Sequence, residues 1–227
     1  MKKPELIASL RRDLQALAAQ RRATHLDPVA HAAREALRRF QSERMAATHA
    51  DLLADPRSAA AARFFLDDLY GAQDVIQRDA DIERVLPTME RLLPLPALAA
   101  IAEAIELDAL SDALDAALAA RLGAEFDAAA YAAAYRAEPR AARERQLQHV
   151  DSVGAALCAL VRVPLLGGTL SMMRAPARLA GLGELQSFLE RGFAAFKAMP
   201  RPREFVATVV ERERQLMERL YAGGAVS

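Results

Sequence analysis

The sequence predicts an all-α fold: one globular bundle of roughly eight to ten helices, with no sheet. Three observations lead there. Apolar residues recur at steps of three and four along most of the chain. No segment alternates apolar and polar residues with period two, and β-branched residues never gather into a strand-like run. Asp, Pro and Gly stand where such helices would begin and end. Of the 227 residues, 53% are hydrophobic, but much of that is Ala, which favours helix and has little side chain to bury. Closely spaced helices around a thin core of Leu and Phe are the expected result. Residues 1–222 read as a single domain, and 223–227 as a loose C-terminal tail.

Pro4 opens a first helix whose Leu6, Ile7, Leu10, Leu14 and Leu17 form one stripe, ending between Gln20 and Thr24. Asp27-Pro28 is a cap followed by a first-turn proline, and a long helix rich in Arg should run on toward Leu53. Asp55-Pro56 repeats the signal. Leu93-Pro94-Leu95-Pro96 is a stiff break, after which a helix should reach Leu122 and stop at Gly123. Tyr131 and Tyr135 mark a short helix behind Asp127. Pro139 opens another, in which Gly154 suggests the close approach of a neighbour. Residues 163–176 are apolar but broken by Pro164, Gly167-Gly168 and Pro176. Two helices close the chain, one with Leu185, Phe188, Leu189, Phe193 and Phe196, the other with Phe205, Val209, Met217 and Leu220.

The densest aromatic material lies in Phe64, Phe65, Leu66, Asp67, Asp68, Leu69 and Tyr70, in a chain without Trp. On an α-helix Phe65 stacks with Leu69 and Leu66 with Tyr70, and Phe64 widens the stripe, so other helices should enclose it. Asp67 falls four after Arg63 and, with Asp68 and Asp74, reads as a solvated face rather than a set of site carboxylates. Gly71 should end this helix and Asp79 should cap the next. The stretch FFLDDLY resembles the signature of a bacterial family named for its FFLEELY motif, with two aspartates in place of the glutamates. RDADIERV at 78–85 and GFAAF at 192–196 extend the likeness along most of the chain. The resemblance implies an uncharacterised helical protein and no particular activity.

Thirty basic and thirty acidic residues leave no net charge, so no global field draws nucleic acid or an anionic membrane. The pairs Arg11-Arg12, Arg21-Arg22 and Arg38-Arg39 read as solvated helix faces. A single cysteine, Cys158, rules out an intramolecular disulfide and suits the cytoplasm. The N-terminus is not a signal peptide, and the weakly charged residues 152–173 are too broken by Pro and Gly to span a bilayer.

Candidates for chemistry are few. Glu103 and Glu106, followed by Asp108, Asp112 and Asp115, put carboxylates on one helix face, as helical di-metal sites do. The Glu-x-x-His steps of such sites are missing, so an exposed acidic face is expected. His49 and His149 are candidate haem ligands, and Met172, Met173 and Phe193 are candidate walls of an apolar pocket within 163–199. No Gly-x-Ser-x-Gly elbow or phosphate-binding loop is present, so no catalytic residue is assigned and no cofactor is predicted. The leading expectation is a non-enzymatic interaction or regulatory protein that binds a protein partner or itself. A binder of an apolar small molecule is second, and a helical metal-dependent enzyme third.

Overall fold

The computed structural model describes residues 3–70, 75–92 and 95–226, with backbone alone at 68–70, 75–78, 88–89, 91–92 and 96–97. The described residues form α1 (Lys3–Leu26), α2 (Pro28–Thr48), α3 (Ala50–Ala54), α4 (Ala59–Arg63) and a π-helical segment (Phe64–Tyr70). There follow α5 (Val75–Leu92), α6 (Leu95–Leu122), α7 (Ala128–Arg136), α8 (Arg140–Leu160), α9 (Leu166–Met172) and α10 (Arg174–Leu179). The chain closes with α11 (Gly183–Ala198) and α12 (Pro202–Tyr221). No strand occurs among them. The all-α expectation holds; the helices outnumber it because α3, α4, α9 and α10 are fragments of five to seven residues.

Side-chain caps form at two of the expected aspartates, whereas Asp55 ends α3 and α4 opens behind Ser58 without one. Asp27 Oδ1 accepts from the amides of Val29 (2.9 Å) and Ala30 (3.2 Å), and Asp127 Oδ1 from Ala130 (2.8 Å). Gly123 closes α6 in the left-handed conformation, φ +69°. The helix expected to reach Leu53 breaks at His49, which leaves helical dihedrals at φ −115°. Leu93, Pro94 and the stop at Gly71 lie outside the described residues.

Helix α6 is the axis, with α1, α2, α7 and α8 packed on it and α12 lying against α8 and α7. Three apolar clusters result. Leu6, Ile7, Leu10 and Leu14 of α1 meet Leu86 of α5 and Leu98 and Ile105 of α6. Leu37, Leu118, Tyr131, Leu216 and Leu220 join α2, α6, α7 and α12. Phe64, Cys158, Phe196, Phe205, Val206 and Val210 join the π segment to α8, α11 and α12. Each fully buried Leu or Phe contributes roughly 1.5–3 kcal/mol. Val226 belongs to the second cluster, and the guanidinium of Arg219 donates to the carbonyls of Ala225 and Val226 (both 3.1 Å). The tail expected to be loose is therefore docked through residue 226: a buried Val and a two-pronged Arg anchor outweigh its two glycines.

The aromatic stretch departs from the expected α-helix. A π turn carries more residues than an α turn, so successive side chains diverge less. Phe64 and Phe65 can then both face inward. Phe64 is buried against Phe188 (5.3 Å between centroids), and half-buried Phe65 meets Phe196 (5.6 Å) and Phe205 (5.9 Å). A Cβ at Gly192 would lie 2.6 Å from Phe64 Cζ, so GFAAF offers its glycine to one ring and Phe196 to the other. The two motifs are packing partners, and this face is core. Asp67 is exposed, as expected; the side chains of Asp68, Leu69 and Tyr70, and all of Asp74, lie outside the described residues.

Two substitutions test this packing. Phe64→Ala is expected to lower unfolding free energy by about 3–5 kcal/mol in a denaturant titration, the loss typical of a buried ring. At Gly154, an added Cβ would stand 2.5 Å from Val206 Cγ1. An open helical glycine gains about 1 kcal/mol on becoming Ala, whereas Gly154→Ala here should lose about 1–3 kcal/mol through overpacking. Adding Val206→Ala should recover part of that loss in the same titration.

Candidate functional site

The residues singled out for chemistry are scattered. His149 Nδ1 lies 3.6 Å from Glu103 Oε1 between α8 and α6, both partly exposed. Glu106 is exposed and lines a shallow cleft of about 430 Å3 with Ser9, Asp13 and Gln20. No group of three His, Cys, Asp or Glu able to hold a metal occurs among the described residues. His49 is buried, its Nε2 3.2 Å from Glu213 Oε1 and its Nδ1 without a partner. Burial pushes the Cys158 thiol up. Met172 is 74% exposed and Met173 37%, while the Phe193 ring fills the space beneath Gly167, whose added Cβ would meet it at 2.9 Å. The supposed pocket walls are thus divided between the outer surface and a filled interior.

Sequence reasoning missed a buried ionic network. Arg21 continues the stripe of Leu14, Leu17 and Ala18, so helical register carries its guanidinium inward. It grips both oxygens of Asp79 on α5 (2.9 and 2.7 Å) and pairs with Asp108 (2.7 Å) and Asp112 (3.4 Å) on α6. Asp79 therefore stands inside α5 and does not cap it. Arg34 of α2 adds a 2.5 Å pair to Asp112, and Gln20 donates to its other oxygen (3.1 Å). The acidic face expected at the surface is instead turned inward at Asp112, and Arg21 is no solvated arginine. Burial disfavours the Arg21 charge, but the facing Asp108 and Asp79 outweigh it and raise its pKa.

Farther along α6, partly buried Asp115 accepts from Gln41 (3.0 Å). Burial pushes its carboxyl up, against the pull of the Arg34 and Arg143 charges. Tyr131 and Tyr135 nearby are also raised by burial. The Arg143 guanidinium lies 4.5 Å above the Tyr135 ring. A second knot ties α2 to α12, where Arg44 binds both Glu213 oxygens (2.5 and 2.6 Å) beside His49. Burial alone would raise the Glu213 pKa, but the His49 hydrogen bond and the Arg44 charge prevail and lower it. These pairs clamp helices together, since each links side chains from different elements.

The opposite arrangement occurs at residues 163–179. Helices α9 and α10 seat Leu166, Gly167, Leu170 and Ala177 toward α11. Gln186 donates to the Leu170 carbonyl (2.6 Å), the Leu182 amide to that of Ala177 (2.8 Å), and Arg174 binds both oxygens of Glu190 (3.0 Å each). Outward stand Leu165, 85% exposed, Met172 and Leu179, 91% exposed. Leu165 holds φ +67°, the single non-glycine positive φ among the described residues, at a cost of about 1–2 kcal/mol. Leu165 thus combines exposure with a left-handed backbone, while Met172 and Leu179 are displayed from helical ones.

The chain matches, over residues 20–226, the family described as Domain of unknown function (DUF8198), and it belongs to that family. No curated protein and no solved structure matches it.

The second knot makes a pH-dependent prediction. A carboxylate whose pKa is lowered on folding stabilises the fold above its unfolded value, and that contribution disappears as pH falls through the folded value. Glu213→Gln should cost about 3 kcal/mol at neutral pH, because it leaves Arg44 facing a neutral amide. The difference from the unaltered protein should shrink as pH drops below the ordinary Glu value of 4.5. Urea midpoints measured across that range check it.

Proposed function

We propose that this member of the DUF8198 family is a helical interaction protein that docks through the outward side of α9 and α10. One observation carries the reading: Leu165, Met172 and Leu179 are displayed to solvent on a segment whose inner side is firmly tied to α11. Leu165 precedes α9 in a left-handed conformation, Met172 ends α9 and Leu179 ends α10, so the three mark the ends of these two short helices. Burying Phe64 and Phe65 in the core supports a scaffold role for FFLDDLY, in keeping with its likeness to the FFLEELY family. A bacterial cytoplasmic setting belongs to the same proposal, supported by that likeness and by the single buried cysteine.

A photo-crosslinking amino acid at position 179 tests the docking face in living cells, with position 214 on α12, half-exposed and remote in sequence, as the control. Adducts formed from 179 and not from 214 support the reading. Equal adducts from the two positions would sink it, as would the absence of both protein and lipid adducts from 179.

A further inference from the structure

Resting on the docking reading above, we infer that the α9–α10 face binds an anionic membrane surface, lying in the headgroup layer. The charge distribution comes first. From Ser152 to Gly183 the chain contains no Asp or Glu and three arginines, although the whole protein is neutral. Arg174 is held by Glu190, while Arg162 and Arg178 are exposed and lie close in the chain to Leu165 and Leu179. The segment itself carries positive charge alone, with Glu184 and Glu190 of α11 next to it.

The apolar display comes second. Leu165, Met172 and Leu179 are exposed together with Val163 and Met173, and Gly168, Thr169, Ser171 and Ala175 lie among them in the chain. A protein interface core is a contiguous apolar patch of close complementarity. Large, flexible apolar side chains interspersed with small residues suit a fluid layer that closes around them. Interfacial helices combine this pattern with Arg or Lys and sink about 5–10 Å into the headgroup boundary. No helix among the described residues is long and apolar enough to cross a membrane, so the contact is peripheral. Both short helices are anchored to α11 by hydrogen bonds and packing.

Sedimentation with vesicles of phosphatidylcholine alone, or mixed with phosphatidylserine, tests the inference on the full chain. Binding is expected to the mixed vesicles only and to weaken as salt is raised. Arg162→Ser and Arg178→Ser should each weaken it about fivefold, the factor corresponding to about 1 kcal/mol per surface arginine. Leu179→Ser should weaken it at least as much, with an unchanged circular dichroism spectrum. Equal binding to both vesicle types, no binding to either, or indifference to these substitutions overturns the membrane assignment. If vesicles fail while position 179 still crosslinks to a protein, the docking reading survives and the occupant is a protein. If both fail, the docking reading falls too.

Discussion

The guanidinium of Arg21, surrounded by Asp79, Asp108 and Asp112, is the contact on which the arrangement of the N-terminal half depends. It joins α1 to α5 and α6 at once, and Arg34 draws α2 into the same knot through Asp112. Removing water from such charges is expensive, and the return comes only when every lone pair finds a donor. Sliding any of these helices by one turn would strand a buried charge. Leucine stripes alone tolerate such slips, because one apolar neighbour resembles the next. The network therefore fixes register, while the Leu-lined clusters provide most of the cohesion.

The C-terminal half is organised differently. Aromatic rings from the π segment, α11 and α12 interlock there, and glycines at the contact points let them approach. The FFLDDLY stretch is consequently a packing device through Phe64 and Phe65. Chemistry attaches to it only indirectly, because the same rings hold α11 in place, and α11 in turn carries the exposed α9–α10 segment.

Helix boundaries were legible because caps are local: Asp27, Asp127 and Gly123 act on the amides and carbonyls beside them. The stripe of Leu6 to Leu17 was legible for the same reason. Arg21 and Asp112 were misread because residue type was weighed above register. Arg21 falls in phase with Leu14, Leu17 and Ala18, and Asp112 in phase with Ile105 and Ala119, so the period pointed inward even where the charge pointed out. Asp79 was misassigned as a cap since nothing local reveals a partner 58 residues away. The exposure of Met172 and Met173 was equally hidden, as apolar composition looks alike whether it fills a pocket or faces solvent. The docked tail depends on Arg219 reaching forward to residues 225 and 226, a contact made by tertiary folding.

The π segment has a consequence for how the chain can vary in length. Each of its turns holds an extra residue that an α-helix would not accommodate, so deleting one residue between Arg63 and Tyr70 would restore ordinary helical hydrogen bonding. The same deletion would rotate the second ring away from Phe196 and Phe205. Backbone economy and ring packing thus pull in opposite directions, and the rings prevail. The ring contacts make this segment a ruler of fixed length.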